Sequence, residues 1–216
     1  MTLTERDDAL IRALLGKIRI VSFDQVARAW WPESESGRTN AKRRLHELIE
    51  EKLLVRERAF ARPMLTLSEP IFLWKPGKTG PDYEKLSYQL QSRWTSQSGS
   101  TEPRAVTVYF ASHRAAHVLG GHAVGRIKNP SQVTHDLHLS ELYLKILRED
   151  PNLAKAWAGE EVIAPTRVHQ KLPDAILLDS KGLPRLVMEF GGAYPPDRVK
   201  AFHEDCEMRG LPYEMW

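Results

Sequence analysis

The chain of 216 residues has a single cysteine, Cys206, so neither an internal disulfide nor a zinc site built on several thiolates is open to it. It lacks an apolar run as long as a membrane span. Its first residues, Met1-Thr2-Leu3-Thr4-Glu5-Arg6-Asp7-Asp8, are acidic where a signal peptide needs a basic and then an apolar stretch. A cytoplasmic protein with no membrane partner is therefore expected. Internal repeats are absent, and net charge is small, +3. That charge is unevenly shared: residues 1–80 hold 15 Lys/Arg against 11 Asp/Glu, and the remainder holds 16 against 17. A basic excess of this size bears on polyanion binding only where a motif gathers it on one face. What the chain does have is 42% hydrophobic residues, enough for two small cores.

Residues 1–80 supply such a motif. Thr4 is placed to cap a helix carrying Leu10, Ile11, Leu14 and Leu15 at helical spacing, ended by Gly16. Ser22 opens a second helix with Phe23, Val26, Ala27 and Trp30 on one side, stopped by Pro32. A polar turn over 33–37 leads to a third helix, about 39–52, with Ala41, Leu45, Leu48 and Ile49 inward. Arg38, Asn40, Lys42, Arg43 and Arg44 surround its first turns. Residues 54–58 and 71–74 read as two antiparallel strands joined by a loop that holds Arg62 and two prolines. Three helices and a hairpin make a winged helix-turn-helix. Its third helix enters the major groove by its N-terminal turns, where Arg and Asn reach base edges and Lys neutralises phosphates. A solvated helix face is the plain alternative, but the helix order puts the basic turn at the groove-facing position. Arg56, Arg58 and Arg62 would hold phosphate from the wing.

Residues 81–104 read as a connecting helix followed by a linker, Thr95-Ser96-Gln97-Ser98-Gly99-Ser100-Thr101-Glu102-Pro103. A short strand over 106–110 and a helix over 112–119 follow. His113 and His117 lie four apart on that helix, but no glutamate accompanies them in a zinc-binding arrangement, so no metal is assigned there.

Residues 105–216 form the second expected domain. A helix over 134–150 carries Glu141 and Lys145, and a strand is expected over 161–168. Pro173-Asp174 then opens a hairpin whose second arm ends at Glu189. A helix over 196–209 and a last strand over 212–216 complete the order α-β-β-β-α-β. This is the minimal core of PD-(D/E)XK nucleases, a mixed sheet flanked by helices, in which Asp and Glu hold a divalent cation and a lysine two residues after the Glu positions water. Asp174 and Glu189 are the candidate catalytic and metal-binding pair, and Glu141 is the candidate third ligand. The lysine position is Gly191. Lys171, three residues before Asp174, or Lys145 would have to replace it, so the expectation is a vestigial centre.

The two halves together resemble the replication-relaxation family of bacterial plasmid and mobile-element proteins. The resemblance is carried by Pro70-Ile71-Phe72-Leu73-Trp74, His135-Asp136-Leu137 with Glu141, Pro173-Asp174-Ala175 and Met188-Glu189-Phe190. It implies an N-terminal winged helix joined to a degenerate PD-(D/E)XK-like domain, and a role in plasmid replication or DNA relaxation. The expected partner is double-stranded DNA, with a homodimer or replication and mobilisation proteins as further partners. DNA binding would need no cofactor. The alternatives are a Mg2+- or Mn2+-dependent DNA endonuclease or nickase, and a winged-helix transcriptional regulator.

Overall fold

The computed structural model describes residues 2–96, 102–127, 129–166 and 171–216. In chain order its first elements are α1 (Glu5–Gly16), β1 (Val21–Ser22), α2 (Phe23–Trp30), α3 (Glu35–Glu50), β2 (Leu54–Ala61), β3 (Phe72–Trp74), α4 (Tyr83–Ser96), β4 (Arg104–Ala111) and α5 (His113–Leu119). Then come α6 (Val133–Glu149), α7 (Pro151–Ala156), β5 (Trp157–Gly159), α8 (Glu160–Ile163), β6 (Ala175–Leu178), β7 (Pro184–Glu189), α9 (Pro196–Met208) and β8 (Tyr213–Met215). The protein is α+β, and no helix among the described residues is long and apolar enough to cross a membrane. Most of the expected linker, residues 97–101, lies outside the described residues, as does the end of the strand expected at 161–168.

Two compact units are each built from two stretches of chain: Met1–Arg62 with Pro103–Pro151, and Pro63–Glu102 with Asn152–Trp216. The expected succession 1–80, 81–104 and 105–216 is thus replaced by a nested arrangement, in which residues 63–102 leave the first unit between two paired strands. Such an excursion is tolerable because loop-closure entropy grows only with the logarithm of loop length.

In the first unit, helix starts follow side-chain caps. The Thr4 hydroxyl accepts from the Asp7 amide at 3.3 Å, and the Thr4 amide donates to Asp7 Oδ2 at 2.7 Å, closing a reciprocal cap at the start of α1. Ser22 and Gln25 do the same for α2, at 3.2 and 2.9 Å. The sheet order is β1-β4-β2, antiparallel throughout. β2 pairs with β4 from Leu54↔Ala111 to Ala61↔Arg104, and not with residues 71–74 as the hairpin reading expected. Ala59, Ala61, Val108 and Phe110 from this sheet pack with Val133 and Leu137 of α6. The Gln25 side chain joins α2 to α6 by donating to the Leu137 carbonyl at 2.8 Å.

The second unit holds a five-stranded sheet, order β3-β8-β7-β6-β5, antiparallel except for the parallel pair β7 and β8. Parallel neighbours need a crossover, which α9 supplies. The β6–β7 turn is set by Asp179, whose Oδ1 accepts from the amides of Lys181 and Leu183, and by Gly182 at φ +76°. α4, read as a connector, is instead a core helix: Leu86 and Leu90 pack with Val199, Phe202, Cys206, Val187, Tyr213 and Met215. Burying each such side chain contributes roughly 1.5–3 kcal/mol. The helix expected to open the second domain, α6, belongs instead to the first unit. The strand expected at 161–168 is displaced to Trp157–Gly159, because Glu160 and Glu161 favour the first turn of a helix.

Candidate nucleic-acid interface and buried carboxylate pair

α3 begins four residues earlier than expected. The Ser34 hydroxyl accepts from the Gly37 amide at 3.0 Å, and Gly37 is required inside the first turn, since a Cβ there would lie 2.1 Å from the Pro32 carbonyl oxygen. Arg38, Asn40, Lys42 and Arg43 are exposed. Arg38 pairs with Asp24 at 2.6 Å and lies 5.0 Å over the Phe23 ring, and Arg43 pairs with Glu47 at 2.7 Å. Arg44 departs from the expected role. Its guanidinium binds the buried Asp7 carboxylate at 2.6 Å, Glu47 at 2.6 Å and the Thr2 carbonyl at 3.0 Å. It ties α3 to α1, and it is withdrawn from the candidate DNA-contacting set. Burial raises the Asp7 pKa, but hydrogen bonds from Arg44 and Thr4 outweigh it and hold the carboxyl below its usual range. A groove of about 470 Å³ beside this helix is lined by Arg6, Trp31, Asn40 and Arg43. Arg6 and Trp31, with the guanidinium 4.9 Å over the ring, escaped the sequence reading because nothing local links them.

Arg56 and Arg58 on β2, and Arg62 just after it, are exposed, though the strand's partner is β4. Phe60 lies among them and is 69% exposed. The alternation Arg56-x-Arg58-x-Phe60-x-Arg62 signals it, and ending the strand at Arg58 hid it.

Asp174, just before β6, and Glu189, the last residue of the antiparallel neighbour β7, do come together, and both are buried. Each carboxylate accepts from the other strand's backbone: the Asp174 amide donates to Glu189 Oε2 at 3.2 Å, and the Phe190 amide donates to Asp174 Oδ2 at 2.7 Å. The Tyr194 hydroxyl donates to Glu189 Oε1 at 2.6 Å and accepts from Arg198 at 2.9 Å. Burial, then the two carboxylates, push the Tyr194 pKa far up, so it stays a donor and not a nucleophile. Lys171 donates to the Arg198 carbonyl at 3.4 Å and lies 5.2 Å over the Phe202 ring. Burial lowers its pKa, with Glu189 opposing through charge.

The expected third ligand belongs to the other unit. Glu141 sits on α6 in the first unit, where its carboxylate accepts from Arg28 at 2.6 Å and from Gln25 at 3.1 Å. Lys145 is on the same helix, paired with Glu149 at 2.8 Å. Among the described residues no group of three or more His, Cys, Asp or Glu could hold a metal ion. At Gly191 an added Cβ would lie 3.0 Å from Leu90 Cδ2 and 3.1 Å from Met215 Cγ, so a larger side chain there would need Leu90 and Met215 to give by a few tenths of an ångström. Arg93 of α4 donates to the Gly191 carbonyl at 2.8 Å and stacks 4.4 Å over Phe190. Burial lowers its pKa to about 10, which leaves it charged at neutral pH. These donors do not fit the three-carboxylate, lysine-assisted metal centre. They make a hydrogen-bonded brace between β6 and β7.

No protein-family model, no curated protein and no solved structure matches this chain.

Proposed function

We propose that the chain is a double-stranded DNA-binding protein whose first unit works as a winged helix-turn-helix and whose second unit is a PD-(D/E)XK-like scaffold without cleavage chemistry. The observation that carries this reading is the exposed cationic face of α3, Arg38, Asn40, Lys42 and Arg43, followed directly by the arginine-bearing strand β2. Three helices with a β1-β4-β2 sheet support the winged-helix comparison, with β2 and β4 as the arms of the wing. On DNA, Arg38 and Arg43 exchange Asp24 and Glu47 for phosphate or base edges. That exchange costs little, because exposed ion pairs contribute only about 0–1 kcal/mol. Arg56, Arg58 and Arg62 add sequence-independent grip. By its resemblance to replication-relaxation proteins, the proposed setting is replication or relaxation of plasmid or mobile-element DNA.

The salt dependence of duplex binding tests this. Replacing Lys42 and Arg43 by alanine is expected to weaken binding and to lower the slope of log affinity against log salt by about two, since each lost phosphate contact removes about 0.9. Fluorescence anisotropy across a salt series reads the slope, and an unchanged slope removes both residues from the interface.

A further inference from the structure

Within the DNA-binding reading, on which this step rests, we infer that the outer face of β2 is a site for unpaired bases, with Phe60 as the stacking platform. Three observations converge on it. Phe60 is 69% exposed, and its cross-strand neighbour is Ala105, which carries no ring or long chain to cover it. The same face of the strand presents Arg58 and Arg56, each about 6.6 Å from the next position on that face, and the exposed Arg62 follows directly after the strand's last residue, Ala61. The opposite face of the strand is committed to the core through Ala59 and Ala61.

The chemistry selects the occupant. A bare phenyl ring between guanidinium groups suits a polyanion that also offers flat apolar faces. In a paired duplex those faces are covered by neighbouring bases, and the ring would meet only groove edges and phosphate. In a bubble, fork or single strand the faces are open, so the ring stacks on a base while Arg58 and Arg62 hold phosphates on either side. Stacking tolerates any base, so the site reads strand separation and not sequence. α3 then engages the duplex and the wing strand engages the melted segment beside it.

The test uses the full chain with two labelled DNAs, a duplex and the same duplex with a central run of mismatched thymines. Wild type is expected to bind the bubbled DNA at least about fivefold more tightly than the duplex. Phe60→Ala should abolish that preference while changing duplex affinity by less than about twofold, and Phe60→Trp should retain it. Because the ring is exposed, neither variant is expected to unfold. Three results overturn the inference: a preference that survives Phe60→Ala, an equal loss on both DNAs, or a Phe60→Ala change confined to self-association in gel filtration. A chain that binds the duplex with the Lys42- and Arg43-dependent salt slope but shows no bubble preference ends this inference alone. A chain that binds neither DNA ends the DNA-binding reading with it.

Discussion

Replacing Asp7 by asparagine is expected to lower the unfolding free energy of the first unit by about 3 kcal/mol, the lower end of what removing one partner of a buried ion pair costs. Asp7 is fully buried, and it serves two elements at once: its carboxylate closes the α1 cap with Thr4 and anchors Arg44 of α3. Asparagine keeps the volume but loses the charge and one acceptor, leaving Glu47 as the one carboxylate bound to Arg44 beside the Thr2 carbonyl. The effect carries a pH signature. A carboxyl held below its usual pKa contributes stability that is present above about pH 4 and is lost as pH falls through the depressed folded value. Wild type and variant should therefore differ most near neutrality and converge in acid. Hydrogen exchange of α1 and α3 at several pH values resolves this for the unit concerned. Equal protection at pH 7 would show that Asp7 does not hold α3 in place.

Replacing Glu189 by alanine is expected to destabilise the second unit by about 3 kcal/mol, because it orphans the buried Tyr194 hydroxyl and Asp174 amide, which both donate to the Glu189 carboxyl oxygens. The sign separates two accounts of the pair. In an empty metal site, two close carboxylates repel, and removing one stabilises the metal-free protein. In a brace, removing one breaks hydrogen bonds and the fold weakens. Thermal unfolding of wild type and Glu189→Ala, with and without Mg2+, distinguishes them. A variant more stable than wild type, or a wild type markedly stabilised by Mg2+, would return the pair to metal binding.

Much of this fold was legible because its signals are local. Thr4, Ser22 and Ser112 mark helix starts through bonds to residues three positions on, and Asp179 to Gly182 mark a turn by the same short-range logic. Gly37 misled because a glycine reads as a breaker, whereas the Pro32 carbonyl demands one inside the first turn of α3. Strand partnership was not legible. β2 takes a partner from 104–111 and residues 72–74 take one from 213–215, choices made by tertiary packing and not by the intervening turn residues. The same nesting exchanged the two helices: α4 follows a Gly- and Pro-rich stretch and so resembled a connector, and chain order then assigned Glu141 to the unit of Asp174, whereas α6 belongs to the other unit. Asp174 and Glu189 were found because a hairpin brings its own arms together. Tyr194 and Arg198, which turn the pair into a brace, lie beyond the hairpin and carry no motif of their own.

The central proposal is that the cationic α3 face grips duplex DNA while the second unit performs no cleavage. Incubating the full chain with supercoiled plasmid and Mg2+ or Mn2+, scored on one gel for mobility shift and for nicking, tests it most directly. The account predicts a shift that Lys42→Ala with Arg43→Ala weakens, and no nicked product. Metal-dependent nicking that disappears in Asp174→Ala would contradict it and would point to Lys171, within Coulombic reach of Glu189, as the replacement lysine.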